Sequence, residues 1–368
     1  MAMTHTQRLR AAVAGQHLDR PCAAFWGPHL NLEELNARDL AYAMIANQEA
    51  YQWDFMKFDM SGMYFPEAFG QKIATPKNAD MQAWLTVEEW RVNHPSDWMT
   101  LRPLKVKDSE VFRRYVEAVK RVCDHYQGDV PVLPTVFSPV SMAGEFVAGY
   151  FDQEKLIKMF EYNTKEVEYG LSVIEETLIN LMEAYVEAGA AGFFIGLQNG
   201  INEKLGYEMF KKYEFDGTAR IVNAIKDKTW FNMAHLCNGT DTPMDTEAIK
   251  WCADLPVTAL NYADTWEHMP SFAEMRKLTD KVLVGGIMHT NRPLTRYHMC
   301  GADGGHDFMG EDRETVKKQL RRRVDEALAG AGDKLVIAGG CGCYQPHRFP
   351  VLDEVLDEVA QERAAARR

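Results

Sequence analysis

A histidine and a cysteine stand two residues apart in Phe231-Asn-Met-Ala-His235-Leu-Cys237-Asn-Gly, where an apolar, strand-like run gives way to a turn. Alternate side chains of a strand share a face, so His235 and Cys237 can aim at one point. Imidazole and thiolate together suit a soft divalent cation, zinc first among them. Far downstream, Ala338-Gly-Gly-Cys341-Gly-Cys343 offers a third donor, again where an apolar run meets glycine. Three protein donors with a fourth position open is the catalytic arrangement of zinc, whereas four closed positions are structural. Cys341 is the expected third ligand. Cys343 is its rival, because an extended chain would aim both the same way. A closed, structural shell would draw on Cys343 or His347 as fourth ligand.

Such donors need a scaffold that gathers distant residues at one rim, and eight short apolar runs supply it. Cys22–Trp26, Phe55–Asp59, Val130–Phe137 and Ala191–Leu197 read as strands one to four. Thr229–Ala234, Val257–Tyr262, Lys281–Ile287 and Lys334–Ala338 read as strands five to eight. The runs are continuous rather than alternating, as expected of strands buried on both faces. Helical spacing occupies Asn31–Gln52, a stretch from the Asp108-Ser109 cap to about Tyr126, Met142–Tyr150, Gln153–Tyr162 and Lys165–Ala188. It returns in Tyr207–Lys226, Arg313–Gly330 and Phe349–Ala365. This alternation predicts an α/β fold, a (β/α)8 TIM barrel, with residues 1–368 forming a single domain. After strand two, Ser61–Pro103 is an irregular excursion, with at most short helices such as Thr86–Arg91; its length suits a cover over an active-site face.

In a barrel the reacting groups come from the carboxyl ends of the strands. Those ends carry His29, Asp59, Ser138, Gln198-Asn199, His235 with Cys237, Asp264, His289 and Cys341, in strand order. His235, Cys237 and Cys341 are the expected metal ligands. Asp264 is expected to face the metal, the alternative being a helix cap. Asp59 is the candidate proton-handling carboxylate, the alternative being a pair with Lys57. His29, Gln198, Asn199 and His289 are expected to contact substrate, and the two histidines could instead be rim residues held by carbonyls. Cys22, Cys123, Cys252 and Cys300 read as packing residues.

Composition bounds the partners. With 46% apolar residues among 368, the chain can bury a large core. A formal net charge of -12 argues against nucleic acid or an anionic membrane as the main partner. No apolar run reaches the roughly eighteen residues that span a bilayer, and the first residues lack an apolar signal core. Seven cysteines make an odd set without disulfide-framework spacing, so reduced thiols in a cytoplasm are expected.

Several stretches carry a family likeness. They are Leu9-Arg-Ala-Ala-Val-Ala-Gly-Gln-His-Leu-Asp19-Arg20-Pro21, Pro66-Glu-Ala-Phe-Gly70, Phe137-Ser-Pro-Val-Ser-Met-Ala-Gly144, and above all the His235-Leu-Cys237 and Gly-Gly-Cys341-Gly sets. On these the chain resembles the uroporphyrinogen decarboxylase superfamily, and within it the zinc-dependent methylcobamide:coenzyme M methyltransferases and related corrinoid-linked methyltransferases. The resemblance implies Zn2+ on His235, Cys237 and Cys341, an acidic residue near the metal at about Asp264, and methyl transfer between a corrinoid and a metal-activated thiol. Demethylation of a methoxylated small molecule fits the same barrel. The corrinoid is expected on a separate protein, since no Asp-X-His-X-X-Gly stretch is present. Expected partners are thus a small-molecule substrate and a corrinoid protein, with a homodimer left open. Two departures stand out. The family's decarboxylases clamp a tetrapyrrole's carboxylates with an arginine-rich segment, where this chain reads Phe25-Trp-Gly-Pro-His-Leu30 with no arginine. His298-Met-Cys-Gly-Ala-Asp-Gly-Gly-His306-Asp-Phe-Met is foreign to the methyltransferase pattern. The alternatives are a metal-free decarboxylase using Asp59 and a non-catalytic barrel that binds a tetrapyrrole or corrinoid.

Overall fold

A computed structural model describes residues 2–26, 36–73, 87–148, 154–199, 205–237, 245–266, 269–287, 312–342 and 350–365. Eight parallel strands form one curled sheet: β1 (Cys22–Ala23), β2 (Met56–Phe58), β3 (Val132–Phe137), β4 (Phe194–Leu197), β5 (Met233–Leu236), β6 (Ala259–Asn261), β7 (Val282–Ile287) and β8 (Leu335–Gly339). Their order is β1-β8-β7-β6-β5-β4-β3-β2, so each strand from β2 to β8 lies beside its predecessor or successor in sequence. The sheet curls with helices around it, the TIM-barrel-like arrangement that the strand–helix alternation predicts. Between β1 and β2, Asp54 N–H donates to Ala23 O at 2.9 Å, which ties the two ends of the sheet together.

The strands read as continuous apolar runs because both faces are covered. In β3, β7 and β8 every residue is buried. Helices press on the outside. Inside, Trp26, Phe55, Phe194 and Phe231 meet ring to ring, with Trp26 5.3 Å from Phe194 and Phe55 5.7 Å from Phe231. The interior is therefore a packed floor and not a pore.

A buried carboxylate fastens the amino terminus to this floor. Asp54 accepts from Arg8 at 2.6 Å, Arg20 at 2.7 Å, His5 at 3.1 Å and the Ala23 N–H at 2.8 Å. Burial pushes its pKa up, but the His5, Arg20 and Arg8 partners more than offset that, and the carboxyl lies below its ordinary range. Asp19 and Arg20 of the Asp-Arg-Pro stretch belong to this clasp, since Arg8 also pairs with Asp19 at 2.7 Å.

Element boundaries differ in instructive ways. Of the short helix expected over Thr86–Arg91, the described part, 87–91, is not helical: Val87–Glu89 pairs antiparallel with Lys72–Ile73, with Ile73 opposite Val87. The fifth strand is expected to stop at Ala234, yet β5 runs Met233–Leu236 and includes His235. Its start is delayed because Asn232 Oδ1 takes the Phe193 N–H at 3.2 Å, where a ladder carbonyl would otherwise serve. The two helices read over Gln153–Tyr162 and Lys165–Ala188 are one run, Glu154–Glu187, broken by a single non-helical residue at Asn163. Tyr207–Lys226 is interrupted by a π-helical turn, Phe210–Phe215. No helix among the described residues is long and apolar enough to cross a membrane.

Candidate metal centre

Strand register builds the site. In β4 and β5, Gly196 lies opposite His235 and Leu197 opposite Leu236, and β6 continues the ladder with Asn261 opposite His235. The Cys237 N–H donates to Leu197 O at 2.8 Å, so extended geometry persists one residue past β5. His235 and Cys237 consequently share the inner face. Cys341 arrives from the end of β8 through Gly340. A Cβ at Gly340 would lie 2.5 Å from Ala263 Cα, so only glycine lets the two strand ends approach this closely.

The donor atoms of His235, Cys237 and Cys341 all lie within 4.8 Å of one another, and all three residues are buried. Cys341 Sγ is 3.4 Å from His235 Nε2. Tetrahedral zinc with ordinary bond lengths sets nitrogen and sulfur about 3.5 Å apart and two sulfurs about 3.8 Å apart. The donor set fits such an ion.

Asn261 fixes the histidine. Its Nδ2 donates to Val284 O at 2.8 Å and to Gly339 O at 3.0 Å, so its Oδ1 must be the atom facing His235 Nδ1 at 2.5 Å. An amide oxygen only accepts, so the proton sits on Nδ1 and the Nε2 lone pair points at the sulfurs. This is the tautomer a metal requires. The ring is also held by Phe194, 4.9 Å away, with Trp26 at 6.4 Å. The Cys237 thiol is pushed well above its ordinary pKa, first by its neighbour Cys341 and then by burial, with His235 acting against both. Two such sulfurs become thiolates together only beside a cation. The described cysteines form no disulfide.

Gln198 and Asn199 stand at the end of β4, beside Cys237. A residue that sequence reasoning passed over holds them there. Glu214, wholly buried on the π-helical turn, accepts from Ser138 Oγ at 2.7 Å, the Gln198 N–H at 2.8 Å, Asn199 Nδ2 at 3.1 Å and Ser141 Oγ at 3.2 Å. Burial raises its pKa, and these donors act against the rise. The only sequence sign was a glutamate in an otherwise amphipathic helix. Glu145 was missed as well. It is fully buried, its carboxyl oxygens have no hydrogen-bond partner among the described residues, and burial pushes its pKa well up.

Asp264 requires a correction. It does not join the three metal donors among the described residues. Its carboxyl instead accepts the Gly286 N–H at 2.8 Å and lines an outer cavity of about 350 Å³ with Phe272, Arg323 and Ala327. The chain turns just past β6, where the Asp264 N–H reaches back to Tyr262 O at 2.9 Å, and this carries the side chain off the inner face. The residue is half-buried but its carboxyl is enclosed, which raises its pKa to about 7. Asp59 is buried at the end of β2 and paired with Lys57, whose ammonium lies 5.0 Å from the Phe194 ring centroid. His29, His289, Cys300, Cys343 and His347 lie outside the described residues.

Comparison with known proteins follows the same line. A methyltransferase from Methanosarcina mazei superposes with a TM-score of 0.68 at 19% identity, covering 98% of this chain and 99% of that one. A B12-independent methionine synthase from a Shewanella species, solved with selenomethionine, gives a TM-score of 0.53 at 14% identity, with 94% and 97% covered. At these identities the likeness is one of fold. A search of curated proteins returns no match. The profile of the uroporphyrinogen decarboxylase (URO-D) family spans residues 4–361, and the chain belongs to that family.

Proposed function

We propose that the protein is a zinc-dependent methyltransferase that moves a methyl group between a corrinoid, carried on a separate protein, and a small-molecule thiol. The observation that carries this reading is the donor set: one imidazole and two thiols converge, with no fourth protein donor among the described residues. That is the pattern of a metal meant to meet a substrate. Zinc bound there would supply the positive charge that deprotonates an incoming thiol at neutral pH while leaving its sulfur nucleophilic.

The chain's own residues do the rest. Asn261 holds His235 in the tautomer that presents Nε2, and Phe194 and Trp26 fix the ring plane and keep water from beneath it. Gly340 admits Cys341 to the site. In the reaction a C–S bond forms as the bond between methyl and its carrier breaks, and the carrier keeps the electron pair. The fold shared with a methyltransferase and a methionine synthase agrees with this chemistry, as does the uncharged Phe25-Trp26 stretch where the family's decarboxylases carry arginines.

The test is metal analysis joined to turnover. Purified protein is expected to hold about one zinc per chain, and the zinc form to consume methylcobalamin in the presence of 2-mercaptoethanol. Cys237→Ala and Cys341→Ala should each lose both properties. A zinc-free protein, or variants that turn over at the wild-type rate, would refute the assignment.

A further inference from the structure

Among the described residues the amide of Gln198 has no hydrogen-bond partner, although the residue is only 8% exposed. Both Nε2 and Oε1 are buried and unmet. Buried amides in folded proteins are almost always paired, because leaving one desolvated and unpaired is costly. The backbone around it is not loose. The Gln198 N–H is held by Glu214 Oε1 at 2.8 Å and Ser141 Oγ at 3.1 Å, and the Asn199 amide is committed to Glu214 and Ser141. A rigid support thus presents an unmet amide.

Register shows where it is presented. Gly196 lies opposite His235, so Gln198, two residues on, stands level with Cys237, two residues past His235, and on the same inner face. Contact between the Phe194 and His235 rings shows that this face is common to the two strands. The position below Gln198 offers it no partner: a Cβ at Gly196 would meet the Phe137 ring at 2.5 Å, so that place is filled by an aromatic ring with no polar atom to pair with the amide.

We infer that Gln198 is a specificity residue that pairs with a carboxamide group on the substrate thiol. This rests on the proposed reading of the metal centre and names the substrate class. A primary amide offers a donor and an acceptor side by side and finds its complement in a second amide. A carboxylate tail would leave the Nε2 donor met but Oε1 facing another acceptor, and this strand end already holds the Glu214 carboxyl. A purely apolar tail would leave both atoms unmet.

The experiment uses the full chain loaded with Co2+ in place of zinc, titrated with propane-1-thiol, 3-mercaptopropionamide and 3-mercaptopropionate. The sulfur-to-cobalt charge-transfer band reads binding without turnover. The wild type is expected to bind the amide roughly tenfold more tightly than propane-1-thiol and more tightly than the acid. Gln198→Leu should leave propane-1-thiol affinity within about twofold and erase the amide's advantage. Gln198→Glu keeps the side chain's shape and, should the leucine variant fail to hold cobalt, becomes the decisive form. It is expected to bind propane-1-thiol as before and to lose roughly fivefold or more for the amide. Thiol bands with no preference for the amide in the wild type, or a preference that survives both substitutions, would overturn the assignment and leave the metal reading intact. A cobalt form that gives no band with any thiol would overturn both.

Discussion

Removing Asn261 tests the metal centre without touching a ligand. The residue is fully buried and makes three hydrogen bonds, to His235 Nδ1, Val284 O and Gly339 O. Asn261→Ala strands those groups. A buried polar group left without a partner costs about 1–3 kcal/mol, and allowing for partial relief by the strand ladder, the apo protein should lose about 2–4 kcal/mol. Zinc affinity should fall separately, because the ring is then free to rotate or to move its proton to Nε2. Loss of such an orienting partner typically costs 10–100-fold in metal affinity, or about 1.4–2.8 kcal/mol. Asn261→Asp separates the two effects. It keeps an acceptor for Nδ1–H but sets its other oxygen against two carbonyls, so stability should fall while zinc affinity stays near wild type. Competition with a chromophoric chelator reads the affinity, and denaturant unfolding of the metal-free protein reads the stability. The reasoning fails if Asn261→Ala loses stability yet binds zinc within about twofold of wild type, since histidine orientation would then not run through this residue.

Three further outcomes follow from the same geometry. Gly340→Ala would put a methyl 2.5 Å from Ala263 Cα, so the β8 end must shift; we expect a stability loss of about 1–3 kcal/mol and a zinc content well below one per chain by elemental analysis. Glu214→Gln turns one of the two accepting oxygens into an NH2 group, set against the donors of Ser138 and Asn199 if it replaces Oε2; unfolding should come about 2–3 kcal/mol sooner, with faster amide exchange at Gln198 and Asn199. Asp264→Asn removes a carboxyl whose pKa is raised from 3.8 to about 7 by burial. Because folding disfavours the charged form, the wild type loses stability as pH rises between those values, and the variant should not. Its advantage is therefore absent below pH 3.8, grows through this window and is complete above about pH 7, at roughly 2 kcal/mol after allowing for partial exposure. Equal melting temperatures at pH 8 would refute it.

Much of the fold was legible because a parallel barrel writes itself as short apolar runs between helices, and all eight runs became strands. Boundaries were less legible where a side chain stands in for the ladder, as Asn232 does before β5. The convergence of His235 and Cys237 was legible because His-X-Cys at a strand end needs only the two-residue period to bring both side chains to one face. Asp264 was not, since a single extra turn after β6 decides whether a carboxylate faces the barrel or its outer layer. That turn is set by local hydrogen bonds which no residue type announces. Glu214 and Asn261 were invisible for another reason. Their importance lies in partners on other segments, two for Glu214 and three for Asn261, and a buried polar residue in an apolar stretch looks like any other until those partners are placed.

Asn261 also explains why the site should behave as one unit. It sits in β6, accepts from the histidine of β5, and donates to carbonyls of β7 and β8, including Gly339, two residues before Cys341. The same amide therefore sets the tautomer of one ligand and the position of the strand that delivers another. Its orientation is over-determined: flipping it would set its NH2 against His235 Nδ1–H and its oxygen against two carbonyls. A disturbance in β7 reaches His235 through this residue, and one in β8 through this residue and through Cys341, whose sulfur lies 3.4 Å from the imidazole. Substitutions in those strands that alter zinc affinity without contacting a ligand should accordingly show strong non-additivity with Asn261→Ala, and additivity with changes at Glu214, whose network anchors β4 from the other side.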